Sequence, residues 1–501
     1  MFKIAGARCM RSVFFAVSIG ALAVLLGACA HSPMSEESKQ KSWVVERVNE
    51  KSTAELYEDL IAPAVFERSS SKVIDGYTVE SGNLLMPDKT VGSLVTVRSG
   101  SGSLTAFIES SSRKGVLVIN SKGESRFTPY TSKDYSILDT VPGEALERTV
   151  EPAKAADEYA IDMLIGYSRE AVLVAGGDAT SNALAQVESV NLALRNSLVN
   201  NVFMRLAGVQ IVNTNYSMTT ETLRQLPGIL SVGTQAFRPD MFFGVFAPHP
   251  DDTAAGWGTT PGRAAIGHVS DGWIFRHEIG HNLGGVHCPE LFGGYKFGFK
   301  NGKSGTIQCG EDSPFYSTPQ VKDAHGLPRG NVITADMSRM WRESGPRLSY
   351  YALPFVGERF SFQSLNGSSD SILEIRMPAR YQAGVVALNS AEGPTELAPA
   401  PKGYARLTVK LKNDAGDERE VNLRAERFIG GCEWFAMNAY VACPFSGSTA
   451  NKLYLKLSYN VGDNPTLPAS VYNGVLRLEA RNLLGSWRAP VVVLMSIAGG
   501  R

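Results

Sequence analysis

The sequence predicts a multidomain α+β protein, with an α/β domain in the middle, a small β domain before it and a β-sandwich after it. Three observations carry this expectation. A chain of 501 residues has the length of about three domains. Short alternating segments bounded by Gly and Ser clusters occupy both outer thirds. Between them, strand-like runs exchange with helical periodicity. The composition, 44% hydrophobic and 20% charged with a formal net charge of zero, is that of an ordinary globular chain. Without a basic stripe to meet phosphates, nucleic acid is not an expected partner.

At the N-terminus, Lys3, Arg8 and Arg11 precede an apolar run from Val13 to Leu26, short for a bilayer span but right for a signal peptide. Leu26-Gly-Ala-Cys29 follows, which resembles the lipobox of bacterial lipoproteins. The resemblance implies a signal peptide over 1–28 and lipidation of Cys29, with Ala30 favouring the outer membrane. No other stretch reaches transmembrane length, so membrane attachment rests on the lipid. Residues 29–45 read as a polar tether.

Residues 46–150 carry alternating runs such as Gly92–Arg98, Ser103–Glu109 and Gly115–Asn120, the pattern of a small antiparallel β domain. The run Val150–Asp157 reads as a linker and a processing point. The α/β domain, 151–350, opens with the alternating strand Tyr159–Tyr167. A helix over Asn182–Val199 follows, with Leu184, Val187, Leu194 and Leu198 on one face, and then strands over Asn201–Val212 and Met241–Ala247. Residues 351–501 alternate again at Tyr404–Lys412, Lys452–Tyr459, Gly474–Ala480 and Pro490–Met495, the signature of a β-sandwich. That domain's charges suit solvated strand faces, and a protein or glycan ligand is the sharper expectation for it.

The chemistry concentrates at 277–287, His-Glu-Ile-Gly-His-Asn-Leu-Gly-Gly-Val-His, which holds three of the seven histidines. On a helix, His277 and His281 project from one face a turn apart and reach one metal ion. Glu278 stands beside it as a general base. Gly284 accepts the positive φ that ends the helix and lets the chain turn, so that His287 returns as a third ligand. Three protein ligands leave a position open, the arrangement of a catalytic Zn²⁺ site.

The spacing His-Glu-x-x-His-x-x-Gly-x-x-His is that of the metzincin metalloproteases, and the surrounding 150–350 resembles their reprolysin-like bacterial branch. The resemblance implies a metzincin-type α/β catalytic domain and a polypeptide substrate. It places an exposed edge strand at Gly256–Ile266, a pocket floor at Gly305-Thr-Ile307 and a pocket wall at Phe315–Pro319. Residues 46–150 look like the propeptide domain of such enzymes. This segment contains no cysteine, so inhibition through a thiolate is excluded and a steric block is expected. Cleavage at the linker would leave the lipid behind and release the enzyme.

Two positions depart from the family. Gln308 stands where a methionine forms the hydrophobic base beneath the ligands, which predicts a looser floor. Met337 and Met340 read as core residues of an amphipathic helix. Cys288 stands where aspartate is usual, and a disulfide to Cys309 would staple the loop that lost its methionine. Cys432 and Cys443 remain as a second candidate pair across adjoining strands. The expected activity is a lipid-anchored zinc endopeptidase. The rival readings are a surface adhesin or binding lipoprotein that keeps the zinc site without activity, and a zinc hydrolase of small molecules.

Overall fold

The computed structural model describes residues 61–100, 102–130, 139–143, 158–288, 294–310, 313–353 and 355–498. Within the last span it leaves aside 366–367, 377–382, 391–403, 414, 427–434, 438–439, 447–451 and 483–484. The signal sequence, Cys29, the tether, the linker Val150–Asp157 and Cys432 lie outside the described residues. Among the described residues, no helix is long and apolar enough to cross a membrane.

Six antiparallel strands form the first sheet, in the order of the chain: β1 (Val65–Ile74), β2 (Tyr77–Leu85), β3 (Val91–Arg98), β4 (Leu104–Glu109), β5 (Lys114–Ile119) and β6 (Ser125–Pro129). Successive side chains point to opposite faces, and here both faces are apolar. Leu94, Leu104, Ala106, Ile108 and Leu117 make one core. Val79, Val95, Val97, Phe107 and Val116 lie on a helix of the next layer.

That helix belongs to a second, mixed sheet. Its elements are β7 (Thr140–Pro142), β8 (Tyr159–Ser168), α1 (Arg169–Val174), α2 (Ala179–Asn196), β9 (Val202–Val212), α3 (Thr220–Ile229), α4 (Ser231–Phe237), β10 (Met241–Phe246), β11 (Gly256–Thr260), β12 (Ala264–His268) and α5 (Gly272–Leu283). The strand order is β7-β11-β12-β10-β8-β9. Only the β11–β12 hairpin pairs antiparallel; the other neighbours are parallel. β13 (Thr318–Lys322), β14 (Pro328–Arg329) and α6 (Met337–Leu348) follow as a small hairpin and a closing helix.

The long helix α2 corrects the expected single apolar face. It begins at Asp178, whose carboxylate accepts from Ser181 N at 2.9 Å, and ends at Asn196. Fifteen of its eighteen residues are buried, because the first sheet covers the side that the sequence leaves to solvent. Leu184, Ala185 and Leu192 meet that sheet, while Val187, Val190 and Leu194 face the central core. Leu198 falls past the helix end and is exposed. The polar residues on the covered side are paired across the junction. Glu188 meets Lys72 at 2.6 Å and accepts from Ser81 Oγ at 2.6 Å. These partners outweigh the effect of burial and hold its pKa below the ordinary glutamate value.

Ten strands make the third region: β15 (Glu358–Ser364), β16 (Ser368–Arg376), β17 (Ala383–Ser390), β18 (Tyr404–Asn413), β19 (Glu418–Glu426), β20 (Phe435–Met437), β21 (Tyr440–Ser446), β22 (Lys452–Asn460), β23 (Ser470–Asn482) and β24 (Gly485–Ile497). They form one continuous sheet where two were expected. β18 and β23 join by two residue pairs alone, Lys412 with Asn473 and Asn413 with Tyr472. Leu407, Val409, Val421 and Leu423 share a core with Leu476, Leu478, Val491 and Val493, so the sheet doubles over on itself. The molecule is thus multidomain and β-rich, with six α-helices among the described residues. The α/β character expected of its middle is confined to the parallel strands of the second sheet.

Candidate metal centre

All twelve residues of α5 are buried, and its apolar side chains Ile274, Phe275, Ile279 and Leu283 belong to the central core. The helix stops at Gly284, whose φ of +116° is the left-handed conformation that a side chain resists. Gly284 N then donates to His281 O and Gly285 N to Gly280 O, closing the turn. Val286 bridges to Phe297, which fixes the segment carrying His287.

The structure brings the three histidines together. His277 Nε2 lies 3.0 Å from His287 Nε2 and 3.1 Å from His281 Nε2, and the last two are 3.1 Å apart. His277 Nδ1 faces Ile307 O at 3.0 Å and His281 Nδ1 faces Gly285 O at 2.8 Å. Those carbonyls place the protons on Nδ1, so the Nε2 lone pairs of these two rings point inward. Lone pairs crowded this closely repel unless a cation lies between them.

A fourth donor, Asp139, was not anticipated. Its carboxylate is 3.3 Å from His277 Nε2, 3.3 Å from His281 Nε2 and 3.2 Å from His287 Nε2. The contact to His277 is made by Oδ2 and those to His281 and His287 by Oδ1, so the carboxylate caps the triangle of nitrogens with both oxygens. The triangle's edges of 3.0–3.1 Å are close to the ~3.3 Å expected between ligands that stand about 2.0 Å from one ion. Asp139, His277, His281 and His287 are therefore a buried group able to hold a metal ion. The segment before the α/β domain, which has no cysteine, thus brings a carboxylate to the three histidines. A lone aspartate carries no spacing signature, and only the short apolar flanks Ile137-Leu138 and Val141 set it apart.

The strand behind Asp139 explains how it gets there. β7 runs parallel to β11, with Thr140 opposite Gly258, and Gly258 N donates to Asp139 O at 2.9 Å. The edge strand expected to be exposed is thus covered. Asn282 of α5 locks the β11–β12 hairpin by donating to Thr259 O and Ala264 O, each at 2.9 Å. The glycines of this strand have a use. A methyl group at Gly256 would come within 2.6 Å of Glu278 Oε1, and one at Gly258 within 3.0 Å of Glu278 Oε2. Bare backbone at these positions leaves room for the buried Glu278 carboxylate between helix and strand.

Gln308 lies beneath the helix, buried in the turn Ile307–Cys309, and its Nε2 donates to His277 O at 2.7 Å. A hydrogen bond to the helix backbone thus stands at the position where apolar contact was expected. Cys288 and Cys309 form a disulfide with Cα atoms 5.3 Å apart, tying the third-ligand segment to that turn. Met337 and Met340 pack under the bend: methyl groups at Gly285 and Gly284 would meet their Cε atoms at 2.2 and 2.6 Å. Next to the first ligand, the buried Arg276 pairs with Glu109 of the first sheet at 2.6 Å. Tyr316 OH donates to Arg276 O at 2.8 Å.

No family model matches this chain, and no curated protein sequence does. Solved structures with partial likeness exist. One, a chaperone–substrate complex, is 18% identical with a TM-score of 0.36, covering 51% of this chain and 45% of that one. Metalloproteinase-II from Bacteroides fragilis is 11% identical with a TM-score of 0.32, covering 55% and 85%. AggA, the major subunit of aggregative adherence fimbriae type I from Escherichia coli, is 13% identical with a TM-score of 0.19, covering 29% and 92%.

Proposed function

We propose that this chain is a zinc-dependent endopeptidase of metzincin type, kept latent by its own Asp139. The observation that carries the reading is the convergence of three Nε2 atoms at 3.0–3.1 Å on a helix that also carries the buried Glu278. Zinc bound there would supply Lewis acidity, polarising a carbonyl and making a water acidic near neutral pH. The remaining work falls to the chain. His277, His281 and His287 hold the ion, oriented by the carbonyls of Ile307 and Gly285. Glu278 takes the proton of the attacking water on a carboxylate oxygen and delivers it to the departing amine. β11 offers its backbone to an extended peptide by strand addition, in the place that Thr140–Pro142 now fills. The fourth vertex, held by Asp139, must be vacated before substrate enters.

Removing Glu278 tests this directly. In an Asp139→Ala background, Glu278→Ala lowers cleavage of a mixed peptide library by about 10²–10⁴-fold while bound zinc, measured by elemental analysis, stays at one per chain. Cleavage at the parent rate would show that another group is the base. A second reading has one observation in its favour: with Asp139 the site has four protein donors, as closed structural zinc sites do. A surface adhesin or binding lipoprotein would keep that closure permanently. In that case zinc-loaded Asp139→Ala shows no chelator-sensitive cuts. Lipidation at Cys29 and residence in the outer membrane belong to the same proposal on the sequence alone. Loss of labelled fatty acid in Cys29→Ser is their check.

A further inference from the structure

A cavity of about 200 Å³ lies between the first sheet and the segments 303–305 and 313–329, lined from one side by Lys89, Lys114 and Glu109 and from the other by Lys303, Asp323 and Arg329. Its two acids are already engaged. Glu109 accepts from Arg276 and from Ser93 Oγ, both at 2.6 Å. Asp323 accepts from Asn301 Nδ2, Ser304 Oγ, His325 N and Leu327 N at 2.9–3.0 Å.

Arg329 is in the opposite situation. Only 3% exposed, it stacks on the Phe315 ring at 4.1 Å, reaches Ser313 Oγ with Nη1 at 3.5 Å and leaves its buried Nε without a partner. Among the described residues Asp323 is the one carboxylate that acts on it, through space, and burial pulls its pKa down. A guanidinium withdrawn from water without a bonded carboxylate is short of counter-charge.

We propose that this cleft is an oxyanion site, in which Arg329 and Lys303 on one side and Lys89 and Lys114 on the other take a phosphate or sulfate group. The planar fork of Arg329 suits bidentate recognition of such a group, and lysines add point charge. The volume holds an oxyanion together with several waters. Because the cations come from two layers, a bound anion would clamp the first sheet onto the catalytic region. The clamp is two steps from the metal centre: Phe315 O accepts from Ile307 N at 3.0 Å, and Ile307 O meets His277 Nδ1. None of this requires the peptidase reading.

Binding is measured on the full chain by calorimetry and by melting in inorganic phosphate or sulfate against chloride at matched ionic strength. Saturable heat and a rise in Tm of about 2–4 °C are expected at saturation. Arg329→Met and Lys303→Ser should each lose most of both. No excess over chloride, or an undiminished response in both variants, would overturn the site. Lys303 is exposed, so Lys303→Ser decides alone should Arg329→Met not fold. Displacement of phosphate by phosphatidylglycerol vesicles would assign the group to a lipid headgroup, and failure to displace it to the free ion; either keeps the site.

Discussion

At one edge of the central sheet, β9 is met by side chains of the C-terminal region: Ser361 Oγ accepts from Val209 N at 3.2 Å and Ser496 Oγ from Ile211 N at 3.0 Å. At the other edge, β11 is met by the three residues of β7 and the carbonyl of Asp139, whose carboxylate turns to the histidines. The first closure is backed by charge. Arg359 and Arg205 both meet Asp162, at 2.5 and 2.6 Å, and Arg359 is about as buried as its partner. The second has little area behind it, since only Val141 of β7 packs against an apolar cluster. Both devices satisfy the exposed donors of a sheet edge, but they differ in how readily they let go. A closure built on a buried ion pair stays with the fold, whereas a three-residue strand can be withdrawn without unfolding what lies beneath.

The contrast breaks first at Asp162. Removing it leaves Arg359 buried opposite Asp240 alone, and losing one partner of a buried pair costs about 3–5 kcal/mol. Arg205, with more than half its side chain exposed, adds little to that figure. Asp162→Ala should therefore lower stability by about 3 kcal/mol in urea unfolding. An unchanged midpoint would mean that the hydroxyl contacts hold this edge without the charges.

Asp139→Ala addresses the other edge. Its stability cost should be slight, while chelator-sensitive cleavage of the peptide library by the intact chain rises by about 10–100-fold, the worth of one charged contact. If chelator-sensitive cleavage is present in both proteins at the same rate, β7 itself is the block and the carboxylate is incidental. Gly258→Ala is subtler. The new methyl group presses first on Glu278 Oε2, at 3.0 Å, and next on the main chain of Glu278 and the Cβ of His281, at 3.2 Å, not on the imidazole rings. In the Asp139→Ala background, kcat should fall by about tenfold with zinc affinity unchanged. Loss of zinc together with kcat would show that Gly258 supports the fold of the site and not the placement of the base.

What the sequence made legible divides along the same line. The ligands and the bend could be read because helical geometry ties His277, His281 and Gly284 to fixed spacings, and the Cys288–Cys309 bond because both cysteines sit beside landmarks. Several strands in each region, among them β3–β5, β8 and β9, and β18 and β22–β24, announced themselves by alternation. What stayed hidden depends on contacts between residues far apart in the chain. Asp139 is 138 positions before His277, Glu109 is 167 before Arg276, and no periodicity connects such pairs. The all-round burial of α2 was illegible for the same reason: Glu188 and Ser181 look solvated until Lys72 and Thr105 arrive from another sheet. The bond from Gln308 to His277 O was hidden likewise, because the resemblance speaks only of an apolar base at that position.

The smallest effect is a pH dependence confined to the β9 side. Asp240 accepts from Asp162 N at 2.9 Å and from Ala352 N at 3.2 Å, below the ion pairs that tie down the C-terminal region. Burial and the neighbouring Asp162 push its pKa from 3.8 up to about 7, against the pull of Arg263 and of those two backbone donors. Between these values the folded chain keeps a proton that the unfolded chain has released. This contribution is therefore complete below pH 3.8, declines as pH rises and is lost above about 7. Asp240→Asn cannot titrate, so its stability relative to the parent should improve steadily from pH 4 to 7 even if its absolute stability is lower. Urea midpoints at half-unit pH intervals test this. Parallel curves for the two proteins would show that Asp240 ionises normally and that the β9 edge carries no proton-linked term.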